Sequence, residues 1–133
     1  MHKSVAVILE SDTRLTIFLS IIKLADLYET LNGENRLTVL APDNEAFEKL
    51  TVPVYARIIN ESKEKLKRIM QYHILPGDHR LTDFFHESKL QTLNGNDVNI
   101  LSIDAVVKIN DSKIISGDKI GSNGVVHVLD TML

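Results

Sequence analysis

An α+β fold is predicted by three observations. Apolar residues in the first half recur at helical spacing, as in Leu15, Phe18, Leu19 and Ile22. In the second half they fall into short runs of branched residues, Val98 to Ile103 and Val125 to Leu129 among them. Between those runs stand the turn pairs Asn94-Gly95, Asn110-Asp111 and Asn123-Gly124.

The helical elements come first. Leu24, Leu27, Tyr28 and Leu31 repeat the spacing of the Leu15 to Ile22 set, but on a face pointing the opposite way. One straight helix would carry apolar stripes on both sides. Two helices between about Thr13 and Leu31 bury both stripes against one core, with Asp26 at or beside the junction. Asp tolerates a left-handed backbone better than most residues do. Asn32-Gly33 stops the second helix. Leu37 to Leu40 reads as a strand that Pro42 ends, and Asp43 can cap a helix running to Leu50. Pro53 can open another helix through Ile59. Leu66, Ile69, Met70 and His73 mark one more helix face, which Pro76-Gly77 is expected to end.

From Leu90 the period changes. Leu90 to Leu93, Val98 to Ile103, Ala105 to Ile109, Ile114-Ile115 and Val125 to Leu129 are strand-like. The glycines from Gly117 to Gly124 lack the following lysine and helix of a phosphate loop, so this stretch reads as a loop or bulge between strands. There is no repeat, low-complexity tract or linker, and residues 1–133 are expected to form a single domain.

Composition narrows the function. With 44% hydrophobic and 25% charged residues, the 133-residue chain has the make-up of an ordinary globular protein with a sizeable core. A net charge of -3 argues against nucleic acid as a partner. The densest basic cluster, Lys63, Lys65, Lys67 and Arg68, is interleaved with Glu61 and Glu64 and reads as a solvated helix face. The chain has no cysteine, hence neither disulfide nor thiolate chemistry. No apolar run reaches the length needed to span a bilayer. The opening MHKSVAVILESD has no small-residue cleavage site and is expected to be the domain's own first element.

Chemistry-bearing patterns are few. No glycine-flanked nucleophilic serine and no paired-histidine zinc helix occurs, and no cofactor or metal is expected. His73 shares the apolar face of Leu66, Ile69 and Met70 and is expected to point inward as a neutral, hydrogen-bonded core residue. His127 sits mid-strand on the face of Val125 and Leu129, opposite Val126 and Val128. A metal site of His73, His127 and Asp130 would require convergence in space that their spacing does not demand. Those three residues and Asp43 are therefore assigned structural roles, Asp43 as a helix cap rather than a catalytic carboxylate. His2, His79 and His86 are expected to face solvent. Asn60-Glu61-Ser62 and Asn110-Asp111-Ser112 are glycosylation sequons, meaningful in a eukaryotic secretory route.

Two separated segments carry a family resemblance. LTVLAPDNEAFEKL (Leu37 to Leu50) and NGVVHVLDTML (Asn123 to Leu133), with MQYHILPG (Met70 to Gly77) between them, resemble the signature boxes of the fasciclin-like domain. The resemblance runs from about Ser4 to Leu133. It implies two β-sheets forming a wedge, with N-terminal helices packed around it, and an adhesion or matrix-association module rather than a catalyst. The family usually has glycine near the first helix break, where this chain has Asp26. In animal members a Tyr-His pair flanked by bulky aliphatics is implicated in adhesion, and Tyr72, His73, Ile74 and Leu75 match it here as candidate partner-binding residues. By helix phase Tyr72 lies at the edge of the apolar face and His73 within it, so the pair is also read as holding the core. A second determinant of animal members, Asp-Ile before the Asn-Gly turn, is Asp118-Lys119 in this chain, and there is no Arg-Gly-Asp.

The resemblance implies an extracellular or cell-surface location, with cell-surface proteins, matrix polymers or other fasciclin-like domains as partners. Two readings from other classes stay open. A hydrolase would need a polar cleft around His73 or His127. A polysaccharide-binding module would want exposed aromatic platforms, and this chain has no Trp, three Tyr and four Phe.

Overall fold

The computed structural model describes residues 3–133. Helix α1 (Val5–Ser11) begins where the Ser4 hydroxyl accepts from the Val7 N–H. A 3-10 turn (Thr13–Leu15), capped by Asp12, leads into α2 (Thr16–Leu24), and α3 (Tyr28–Leu31) follows. Between them Asp26 takes φ 65°, and the chain turns so that both stripes meet one core. Phe18, Ile22, Leu27 and Leu31 are completely buried. Leu24 departs from the expected stripe and is 51% exposed. It precedes the break and so keeps the phase of α2, on whose solvent face it lies.

Strand β1 (Leu37–Pro42) ends at the predicted proline, and Asp43 caps α4 (Asn44–Glu48). Helix α5 (Val52–Ile59) has Thr51 as its cap and Pro53 in its first turn. Helix α6 (Lys63–Gln71) starts at Ser62 but stops before His73. The expectation of a helix reaching Pro76-Gly77 is thus corrected: Ile74–Pro76 is a strand, β2, antiparallel to β1. The main chain of β1 supplies the competing partners, with Leu40 N–H donating to His73 O (2.8 Å) and Gly77 N–H to Arg36 O (2.8 Å). An Ile-Leu pair fits either period, so sequence pattern could not separate the two. The short helix α7 (Leu81–Phe84) had no signal of its own.

The remaining strands are β3 (Lys89–Gln91), β4 (Asp97–Ile103), β5 (Val106–Ile109), β6 (Ser112–Gly121) and β7 (Gly124–Leu129). All seven strands join one sheet in the order β2-β1-β7-β6-β5-β4-β3, rather than the two-sheet wedge expected. The continuity comes from β6. Its first two residues pair with β5 and the rest with β7, through register shifts between Ile114 and Ser116 and between Ser116 and Lys119. The expected loop or bulge from Gly117 to Gly124 is therefore largely strand, irregular at Asp118, where φ is 57°. The sheet curls until its ends approach, and Leu93 N–H donates to Ile74 O at 2.9 Å.

The β1–β7 pair is parallel, from Leu37 opposite Gly124 to Pro42 opposite Leu129. A Cβ at Gly124 would stand 1.8 Å from Leu37 O, so only glycine permits this register. Both strands are buried along their whole length because they divide two cores. Val39, Ala41, Val126 and Val128 face the helices, packing with Phe18, Ile22, Leu66 and Met70. Leu40 and Leu129 face the second core with Leu75, Phe84, Val98 and Ile109.

Candidate functional site

The Tyr72–Leu75 segment is the hinge between α6 and β2, and it divides sharply by exposure. His73, Ile74 and Leu75 are all completely buried. Ile74 belongs to the helix-side core and Leu75 to the other, the alternation a strand imposes. Three of the four candidate contact residues are therefore out of a partner's reach in the folded chain. Tyr72 alone is half-buried.

His73 is wired at both ring nitrogens. Nδ1 lies 3.0 Å from Ile69 O, and Nε2 accepts from the Leu133 N–H at 3.1 Å. A nitrogen that accepts carries no proton, so the ring is the neutral tautomer with Nδ1–H donating to Ile69 O. Burial drives its pKa down from 6.5 to about 4, with the Ile69 hydrogen bond opposing that shift. Phe18 meets the ring edge-on, centroids 6.1 Å apart.

Tyr72 is anchored differently. Its hydroxyl donates to Asp97 O (2.8 Å) and accepts from Asn110 Nδ2 (3.1 Å). Asn110, at φ 55°, also accepts from Asn99 N–H through Oδ1. The side chain that forms one of the two sequons is thus committed to holding Tyr72 against β4. Beside Tyr72 opens a cleft of about 420 Å³ lined by Arg68, Ile69, Tyr72, Asn94, Asn96 and Leu133. Arg68 and Ile69 precede Tyr72 by one helical turn, which brings them to the same rim. The Asn94 and Asn96 turn is tied to α6 by Asn94 Nδ2 donating to Arg68 O at 3.1 Å. The sequence pattern puts Arg68 on a solvated helix face and gives the two asparagines no site role. The helical spacing of Arg68 to Tyr72 was a usable signal, but nothing local in the sequence indicates that the Asn94-Gly95 turn meets α6.

His127 is buried beside Phe84, ring centroids 5.2 Å apart. Nδ1 accepts from Asp118 N–H (3.1 Å), and Nε2 lies 2.6 Å from His79 O, which fixes the Nε2–H tautomer. Burial lowers its pKa against the opposing His79 hydrogen bond. His73, His127 and Asp130 serve separate partners: Asp130 Oδ1 accepts from Lys113 N–H at 2.9 Å. Among the described residues no group of His, Asp and Glu is arranged to hold a metal ion. Asp43 Oδ1 accepts from Ala46 N–H at 2.9 Å, and the residue is 7% exposed.

Of the histidines expected at the surface, His86 is exposed and His2 lies outside the described residues. His79 is corrected: it is half-buried, stacked on Phe84, with Nε2 3.0 Å from Pro76 O. At the second determinant, Asp118 accepts from Leu81 N–H, and Lys119 Nζ reaches Asp12 Oδ2 at 2.7 Å. Asp12 also binds Arg14, and these two cations hold its carboxyl well below the usual range despite partial burial. Lys119 is therefore committed to an ion pair inside the chain.

The geometry describes a curled sheet with a half-buried tyrosine beside an open cleft, and comparison with known proteins places the fold in a family. The fasciclin domain family model matches residues 13–133, and the chain belongs to that family. It is 38% identical over 114 residues to protein sll1483 of Synechocystis, covering 84% of this chain and 62% of that protein. It is 34% identical over 128 residues to the pig transforming growth factor-beta-induced protein ig-h3, covering 95% of this chain and 18% of that one. Against the cell surface glycolipoprotein MPB83 of Mycobacterium bovis it is 30% identical over 108 residues, covering 81% and 47% of the two chains. The chain thus spans less than two thirds of each of these relatives. Its fold matches a FAS1 domain pair from the insect cell adhesion molecule Fasciclin I with a TM-score of 0.81 at 20% identity, over 98% of this chain and 50% of that one.

Proposed function

We propose that this chain is a non-enzymatic interaction domain acting outside the cell or at its surface, where it binds cell-surface proteins or matrix polymers. The observation that carries the reading is family membership over residues 13–133, in a family that includes a cell surface glycolipoprotein. The contact surface is the Tyr72 edge with its cleft, not the Tyr72–Leu75 segment as a whole, because His73, Ile74 and Leu75 are buried.

The hydrolase alternative is disfavoured by the histidines. Both His73 and His127 are buried, and each has both ring nitrogens engaged by the main chain, leaving no free lone pair to act as a general base. Among the described residues no helix is long and apolar enough to cross a membrane.

The test is attachment of cells or matrix to immobilised protein. Arg68→Glu, on the cleft rim, should reduce attachment while leaving the melting temperature unchanged. Leu101→Ser, on the exposed β4–β5 hairpin, should leave attachment intact. Equal attachment by the two variants would remove the cleft from the contact surface.

A further inference from the structure

We propose that the Tyr72 cleft is a subsite for a carboxylated sugar, a hexuronate unit of an acidic polysaccharide. The proposal rests on the reading of the Tyr72 edge as the contact surface and names the ligand chemistry that edge fits.

The cleft holds one unpaired cation. Arg68 is exposed, takes part in none of the ion pairs among the described residues, and uses only its main-chain carbonyl in side-chain hydrogen bonding. A guanidinium with all its donors free is the group best matched to a single carboxylate, which it grips through two parallel hydrogen bonds. Asn96 supplies the complementary feature. Its main-chain N–H and C=O are both bonded within the turn, to Asn94 Oδ1 and to Thr92, while its exposed carboxamide has no partner among the described residues. A carboxamide offers donor and acceptor side by side, which suits neighbouring hydroxyls of a sugar ring. Ile69, Leu133 and the Tyr72 ring make the apolar wall on which the C–H face of such a ring can rest. Because the Tyr72 hydroxyl is already bonded to Asp97 and Asn110, this side chain presents a fixed surface with little entropy left to lose.

An acidic peptide fits less well. Peptides bound in extended form draw on main-chain donors and acceptors of the receptor. The turn N–H groups that border the cleft are already used, Gly95 N–H by Thr92 O and Asn96 N–H by Asn94 Oδ1. A polymer with two or more anionic groups on each unit would need several cations at one subsite, and the cleft lining provides one.

Titration of the folded chain by amide NMR with a galacturonic acid trisaccharide tests the proposal. A neutral galactose trisaccharide and a glutamate tripeptide serve as comparison probes. The expected result is saturable shifts at Arg68, Tyr72, Asn94 and Asn96, weakened about tenfold or more by Arg68→Gln. Asn96→Ala should weaken binding independently, and neither variant should lower the melting temperature. Absence of saturable binding, binding indifferent to both substitutions, or preference for the peptide would overturn the subsite. Attachment that depends on Arg68 with no uronate binding would refute the sugar while sparing the contact surface. Uronate binding at the cleft with attachment indifferent to Arg68→Glu would do the reverse.

Discussion

The imidazole of His73 accepts a hydrogen bond from the N–H of Leu133 at 3.1 Å, joining the end of α6 to a residue sixty positions later. The contact is possible only while the ring is neutral, since a protonated Nε2 becomes a donor facing a donor.

A pH dependence follows. The folded pKa of His73 is depressed to about 4 from 6.5, so in acid the unfolded chain takes up a proton that the folded chain refuses. Stability is therefore fully present above about pH 6.5 and declines as pH falls towards 4, by a few kcal/mol in all. His127, whose pKa is also lowered, acts in the same direction. Urea unfolding between pH 7.5 and 4.5 checks this, and His73→Gln should flatten the slope while lowering stability at neutral pH. A wild-type profile that is level over this range would show that the burial of His73 does not govern its protonation.

Asp43→Ala should destabilise by about 1 kcal/mol, because it removes the acceptor for the Ala46 N–H at the start of α4. Chemical denaturation measures this directly. Asp43→Asn or Asp43→Ser should recover most of the loss, since each restores a capping oxygen. Failure of both to do so would mean that the carboxylate has a role other than capping.

Asp26→Gly should stabilise by up to about 1 kcal/mol, because glycine adopts φ 65° without a Cβ penalty. Asp26→Val should destabilise by about 1–2 kcal/mol at the same position. The difference in melting temperature between the two variants is the measurement. Equal values would place the strain elsewhere in the α2–α3 break.

Much of this architecture could be read from residues alone, wherever a pattern was long or a terminator explicit. The opposed stripes around Asp26, the Pro42-Asp43 junction and the two-sided apolar run of β7 each follow from periodicity or capping chemistry. What escaped was set by tertiary pairing. Residues 74–76 became a strand because β1 offers them main-chain partners, and the sheet is single because β6 passes from β5 to β7 after Lys113 without a break. The proposed contact surface was half legible. Helix phase put His73 inside and Tyr72 at the edge, but the meeting of Asn94 and Asn96 with Arg68 depends on how the sheet curls.

The proposed division of roles is that His73 holds the fold while the Tyr72 edge makes the contact. It is tested by measuring thermal stability and attachment to cells or matrix on the same His73→Ala preparation, well below its melting temperature. The expected result is a loss of a few kcal/mol in stability with attachment per folded molecule unchanged. A His73→Ala protein as stable as the wild type that no longer attaches would contradict it.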